Sequence, residues 1–265
     1  MNPVVAAVAT DPGRVRSRNE DAVCWDPQLR CAIVLDGMGG HAGGSEASRV
    51  GLEAAIGALR EQASGSAALR AAHLAIVACA EEHPEWKGMG ATGVLARVRD
   101  DVVDVAWLGD SRAYLFRGGA LSPLTRDHSF VESLVARGEL TREEARRHPQ
   151  RNVVTRSLGI GDPEPASARI RLQAGDAVLL CSDGLTDELP DEQIAELLAA
   201  GGTLRRRVDQ LVARAKAAGG RDNVSVALVE APGDPSRREV LRAVLLGAGA
   251  ALVVGLLAWL LKNFP

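Results

Sequence analysis

Stretches in which apolar residues run together or alternate divide this chain into elements before any single residue stands out. Residues 4–9, 22–25 and 31–35 read as short strands. Two helical stretches follow, at about 45–60 and 67–82, the second ended by His83-Pro84. Strand-like runs return at 91–98, 102–108 and 112–116, with Arg99-Asp100-Asp101 as a hairpin turn between the first two. Residues 129–137 look helical, and Thr141-Arg142-Glu143-Glu144 opens another short helix with a capping-box pattern. A strand at 176–181, helices at 191–199 and 204–218, and a strand at 223–229 complete the order. Strands at both ends with helices between them predict an α+β domain, sheets inside and helices outside, without internal repeats.

Ala231-Pro232-Gly233-Asp234-Pro235-Ser236 reads as a linker, because two prolines and a glycine continue neither neighbouring element. The chain thus divides into a domain at 1–230, a linker and basic juxtamembrane segment at 231–242, and an apolar segment at 243–261. As a helix, those last ~19 uncharged residues span roughly 28 Å, close to a bilayer core of about 30 Å. Arg237, Arg238 and Arg242 precede the segment, Lys262 follows it, and Trp259 lies near its far end. We expect one transmembrane helix, with the arginines keeping the large domain cytoplasmic at the cell membrane. Gly247, Ala251 and Gly255 form a small-residue stripe of the kind that packs two such helices together. Met1-Asn2-Pro3 leads straight into a strand with no basic secretory signal.

Composition narrows the function classes. A length of 265 residues holds one substantial domain, and a net charge of −3 gives no indication of nucleic acid as a partner. The four cysteines, Cys24, Cys31, Cys79 and Cys181, show no C-x-x-C pairing and read as reduced thiols. Cys24 and Arg30 have the C-x5-R spacing of thiolate phosphatases, but the residues between them include no glycine-rich cradle for a phosphate and place Asp26 near the thiol.

The acids carry more. Asp36 follows the apolar run 31–35 and precedes Gly37-Met38-Gly39-Gly40-His41; Asp183-Gly184 follows 177–181; Asp222-Asn223 precedes 224–229; and Asn19-Glu20-Asp21 sits in an arginine-rich turn. Each alone is a plain turn beside a strand. Together they describe carboxylates converging on one edge of a sheet, and several hard oxygens at one point call for a divalent cation. The glycine after Asp36 lets its own carbonyl serve as a ligand.

In this order the motifs resemble the metal-dependent Ser/Thr protein phosphatases of the protein phosphatase 2C, or PPM, family, in its bacterial branch, over about residues 4–230. The resemblance rests on Asp11-x-Gly13-x-x-Arg16-x-x-Asn19-Glu20-Asp21, Asp36-Gly37-Met38-Gly39-Gly40-His41, Gly90-Ala91-Thr92, Leu108-Gly109-Asp110-Ser111-Arg112, Leu124-Thr125-x-Asp127-His128-Ser129, Ser182-Asp183-Gly184-Leu185 and Asp222-Asn223. It implies a central β-sandwich of two mainly antiparallel sheets flanked by helices, with two Mn²⁺ or Mg²⁺ ions at one end. On that resemblance Asp36 bridges the two cations, the Gly37 carbonyl binds one, Asp183 and Asp222 hold the other, and Asp110 helps bind a third. Glu20 and Asp21 orient metal-bound waters from nearby, and Arg16 grips the substrate phosphate. The implied reaction is hydrolysis of phosphoserine and phosphothreonine by a metal-activated water, opposing a bacterial Ser/Thr kinase and acting on its substrates.

Met38 stands where the eukaryotic branch has a histidine, so the proton donor to the leaving oxygen stays open. A metal-bound water is preferred over His41, which reads as a structural residue of the glycine turn. Residues 133–157 resemble the flap beside the active site in bacterial members. Three alternatives remain: a pseudoenzyme used for binding, a phosphatase of the anti-sigma-antagonist type, and a membrane scaffold without turnover.

Overall fold

The run Cys31-Ala32-Ile33-Val34-Leu35 is continuously apolar because the strand that contains it is covered on both faces. The computed structural model describes residues 4–39 and 43–231. The expectations for His41, for the linker beyond Ala231 and for the membrane span at 243–261 fall outside the described residues. Among the described residues, no helix is long and apolar enough to cross a membrane.

In chain order the elements are β1 (Val5–Asp11), β2 (Asp21–Asp26), β3 (Cys31–Met38), α1 (Gly43–Arg60), α2 (Gly65–Glu82), β4 (Gly90–Arg99), β5 (Val102–Leu108), β6 (Arg112–Arg117) and β7 (Ala120–Pro123). They continue with α3 (Phe130–Ala136), α4 (Arg142–Arg147), β8 (Ala166–Arg171), β9 (Ala177–Cys181), α5 (Asp183–Thr186), α6 (Asp191–Ala199), α7 (Leu204–Ala218) and β10 (Val224–Glu230). A single 3₁₀ turn, Pro84–Trp86, follows α2. One sheet has the order β1-β10-β9-β6-β7 and the other β2-β3-β4-β5-β8. Every pairing is antiparallel.

Side-chain alternation sorts the core into three layers. Ala32 and Val34 of β3, Val94 and Ala96 of β4, Val178 and Leu180 of β9, and Ala227 and Val229 of β10 pack between the sheets. Their neighbours Cys31, Ile33 and Leu35 turn the other way and pack with Ala47, Ala55, Leu69 and Ile76 of α1 and α2. On the far side Leu179, Cys181, Val226 and Leu228 meet Ile194, Leu198, Leu211 and Ala215 of α6 and α7. Complete burial of a Leu or Ile side chain contributes about 1.5–3 kcal/mol, so these layers hold the sandwich together. The four thiols are free, with Cys31 and Cys181 buried.

Local signals explain most boundaries. Ser64 caps α2 by accepting the Ala67 N–H at 3.2 Å. At α4 the Thr141 hydroxyl accepts the Glu144 N–H at 3.2 Å while the Glu144 carboxylate accepts the Thr141 N–H at 2.8 Å, the expected capping box. Two strands lie outside the sequence expectation. β7 returns from β6 through Gly118-Gly119, both at positive φ (59° and 85°), a two-residue hairpin that only glycines enter freely. β8 alternates Ala166, Ala168 and Ile170 with Ser167, Arg169 and Arg171. The apolar set packs against the inter-sheet core.

Between β7 and β8 the chain leaves the sandwich at a narrow neck. Thr155 N–H donates to the His128 carbonyl at 2.7 Å and Phe130 N–H to the Val153 carbonyl at 2.8 Å, beside a Ser129–Val154 bridge. The helices α3 and α4 lie beyond this neck, and α4 with the end of α3 falls in the segment expected to form a flap.

Candidate metal centre

At one end of the sandwich the face between the sheets changes character. Along β1, β2, β3, β4 and β10 the positions that face the opposite sheet are, at this end, Thr10, Asp21, Asp36, Thr92 and Ser225, where the neighbouring inward residues of each strand are apolar. These groups pair with one another. Thr10 and Ser225 hydroxyls lie 2.7 Å apart, and Thr92 and Ser111 hydroxyls 2.6 Å.

Asp36 corrects one expectation. No turn occurs there: β3 runs on to Met38, with Asp36 opposite Asp21 on β2 and opposite Thr92 on β4. Gly37 makes the continuation possible. Its N–H donates to the Glu20 carbonyl at 3.1 Å, and an added Cβ would lie 2.0 Å from the Gly44 carbonyl oxygen. Asp183 differs again, because it is the first residue of α5 rather than part of an open turn.

The electrostatics join acids from both sheets. Burial pushes the Asp36 carboxyl well above the usual range, and Asp21, Asp183, Asp110 and Asp222 push it further in that order. Asp183 is raised in the same way, first by burial and then by Asp110, Asp187, Asp222 and Asp21. Burial likewise lifts Asp21 and Asp110 to about 6. Glu20 is raised by burial, with Arg16 opposing. Carboxylates this close and this poorly solvated either take up protons or gather cations. One oxygen of Asp21, Oδ1, is buried without a hydrogen-bond partner.

These observations fit a hydrated divalent cation: oxygen donors only, an orphaned carboxylate oxygen, and mutual repulsion that positive charge would relieve. Among the described residues no group of three or more His, Cys, Asp or Glu forms a ready-made cage. Mg²⁺-like ions are commonly held by one or two carboxylates with water completing the shell, so a closed cage is not required.

Arg16 lies at the rim. Its Nη2 donates to Asp222 Oδ2 at 2.7 Å, with the arginine side chain about half exposed (53%) and the aspartate 35%. Asp222 and then Glu20 and Asp183 favour its charge. The structure therefore brings Arg16, Glu20, Asp21, Asp36, Gly37, Asp110, Asp183 and Asp222 to one end of the sandwich.

Residues 14–229 match the protein phosphatase 2C family. The chain belongs to that family. Among its relatives, the serine/threonine phosphatase stp of Listeria monocytogenes is 36% identical over 239 residues, 85% of this chain and 95% of that one. The Mycobacterium tuberculosis serine/threonine protein phosphatase PstP is 38% identical over 231 residues, 84% of this chain and 44% of that longer one. The crystal structure of Mycobacterium tuberculosis PstP superposes with a TM-score of 0.80 at 37% identity, covering 86% of this chain and 98% of that one. A PstP catalytic domain in complex with two manganese ions superposes with a TM-score of 0.78 at 35% identity, covering 87% and 99%.

As a family member the chain also shows supports that its motifs contain without declaring. Ser182 Oγ donates to Asp21 Oδ2 at 2.8 Å and accepts the Ser225 N–H at 3.0 Å, tying the acid of one sheet to a strand of the other. Asn223 gathers the arginine loop: Oδ1 accepts the Glu20 N–H at 2.7 Å, and Nδ2 donates to the carbonyls of Pro12 at 3.0 Å and Arg18 at 2.8 Å. His128 is occupied structurally, its Nδ1 accepting the Gly109 N–H at 3.1 Å. His73 is too, accepting the Gly159 N–H at 3.1 Å.

Proposed function

We propose that this chain is a metal-dependent protein serine/threonine phosphatase, removing phosphate from phosphoserine and phosphothreonine with Mn²⁺ or Mg²⁺ as cofactor. The observation that carries this is the meeting of Asp36 and Asp183, contributed by different sheets, at one poorly solvated point in a protein phosphatase 2C fold. Asp36, the Gly37 carbonyl, Asp183 and Asp222 are the residues we assign to two cations, with Asp110 assigned to a third. When bound, such ions supply an activated water and positive charge beside the phosphoryl oxygens.

The remaining work falls to the chain. Asp21, fixed by Ser182 and with Oδ1 still unpartnered, is suited to hold and orient a water through that free oxygen. Glu20, raised by its burial, flanks it. Arg16 is half exposed and its guanidinium fork matches phosphoryl oxygens, so it grips substrate by exchanging part of its contact with Asp222 for the phosphate. The thiols offer no activated nucleophile: burial raises Cys24 and Cys79 above their ordinary value and pushes Cys31 and Cys181 up to about 12, so they stay protonated.

Phosphoproteins are the substrates, and we assign a bacterial Ser/Thr kinase and its targets as the physiological partners. Residues 243–261 are proposed to anchor the chain at the cell membrane with residues 1–230 in the cytoplasm, which concentrates it near membrane-bound partners. The primary test is release of phosphate from a phosphothreonine peptide by the full-length chain with Mn²⁺, then with EDTA, beside Asp183→Asn. Activity that survives the chelator, or an unimpaired variant, would remove the metal assignment. Fractionation of cells with and without residues 237–265 tests the anchor, and a full-length chain found only in the soluble fraction rejects it.

A further inference from the structure

We propose that Glu188 is a positioning residue that locks the turn carrying Asp222 against the helix carrying Asp183, and so sets the spacing of the two acids for a divalent cation. The proposal rests on the metal-dependent reading above and adds a residue that none of the motifs singled out. Glu188 follows α5 by two residues. Its side chain is 3% exposed, yet its partner Arg221 is 61% exposed, so the carboxylate is buried and the arginine closes over it from outside.

The contacts are dense for one side chain. Glu188 Oε1 accepts the Arg221 backbone N–H at 3.0 Å and its Nε–H at 2.9 Å, and Oε2 accepts from Nη2 at 3.3 Å. The same Nη2 donates to the Asp187 carbonyl at 3.3 Å. At Gly219 an added Cβ would lie 2.6 Å from Glu188 Oε2, so the turn sits directly on the carboxylate.

Both ends of this contact lead to the candidate ligands. Asp187 N–H donates to the Asp183 carbonyl at 2.8 Å, so one turn of helix separates the clamp from Asp183. Arg221 is followed immediately by Asp222. The two elements meet again in front, where an added Cβ on Gly184 would lie 2.0 Å from the Asn223 carbonyl oxygen. Beyond the β9–β10 pairing and the Ser182–Ser225 contacts at its end, they meet at two further points, one a close backbone approach and one a charged hydrogen-bonded pair. Loss of the second removes the restraint on the outer end of the turn, which then holds Asp222 less tightly relative to Asp183. A group supporting metal ligands from behind typically costs about 10–100-fold in metal affinity when removed.

A purely structural ion pair would affect stability alone, and the experiment separates the two. Full-length wild type, Glu188→Gln and Arg221→Ala are titrated with Mn²⁺, free ion being followed by electron paramagnetic resonance and Tm recorded with EDTA. We expect Mn²⁺ binding about tenfold weaker or more in both variants, with phosphatase kcat largely restored at saturating Mn²⁺. Variants that lose Tm but bind Mn²⁺ as wild type does would overturn the clamp. If Glu188→Gln does not fold, Arg221→Ala decides alone, because that side chain is on the surface. Wild type that binds no Mn²⁺ would overturn the metal reading itself, a result distinct from failure of the clamp.

Discussion

Two stretches of this chain look alike in sequence and are solved differently in the fold. Cys31-Ala32-Ile33-Val34-Leu35-Asp36-Gly37 lies in one sheet, and Ala177-Val178-Leu179-Leu180-Cys181-Ser182-Asp183-Gly184 begins as a strand of the other. After the first, the strand simply continues through the acid, paired on both sides. After the second, the acid opens a helix. Both glycines nonetheless do the same job: each leaves room for a foreign backbone carbonyl whose oxygen would lie 2.0 Å from an added Cβ. What the two motifs share is a close approach beside a carboxylate, and the backbone conformation is secondary to it.

The largest effect that sharpens this comparison is on turnover. Both acids are pressed from both sheets, but Asp36 most by Asp21, its cross-strand partner, and Asp183 most by Asp110 and Asp187. Asp36→Asn is expected to lower kcat/KM by more than about 100-fold, the upper end of what loss of a mere supporting group costs, and Asp183→Asn by less. Steady-state rates on a phosphothreonine peptide decide it, and equal losses would mean that the two acids are equivalent.

Next comes stability. Gly37→Ala and Gly184→Ala each place a methyl against a backbone carbonyl that has little freedom to retreat, and each is expected to cost about 1–3 kcal/mol. Urea denaturation measures both. A neutral Gly184→Ala would break the equivalence of the two glycines.

Charge gives a smaller effect with a definite sign. Asp21 and Asp110 stand at about 6, above their ordinary value of 3.8, so the folded protein binds protons more tightly than the unfolded chain. Their contribution to stability is fully present below pH ~4 and is lost as pH rises through about 6. With EDTA, Tm is expected to be several degrees higher at pH 5 than at pH 7. Mn²⁺ is expected to raise Tm at pH 7, since a ligand of the folded state stabilises it. A chelated protein more stable at pH 7 than at pH 5 would contradict the assignment.

Ser182→Ala acts through a single contact, removing the hydroxyl that joins Asp21 to β10. About 1–3 kcal/mol is expected in a chemical denaturation curve, as for a hydrogen bond to a charged group.

The sequence made the acids legible because each sits beside a strand or turn signal that survives in isolation. Helices α2, α4 and α7 were equally plain, each opening on a Ser or Thr cap. β8 was not, since alanine is a weak strand former and two of its three inward residues are alanine. β7 is short, and the Gly118-Gly119 pair was the available signal. Long-range supports left no local trace. Ser182 reaches Asp21 across 161 positions and Asn223 reaches Glu20 across 203. Glu188 reads as one more charged residue before a proline until Arg221 is brought over it.

The neck formed by His128, Ser129, Val154 and Thr155 has an evolutionary consequence. Because the excursion between β7 and β8 departs and returns at one pinched point, it behaves as an exchangeable cassette whose length and chemistry can drift while the sheets stay in register. An insertion or deletion beyond the pinch therefore leaves the strand register, and the acids at the end of the sheets, undisturbed.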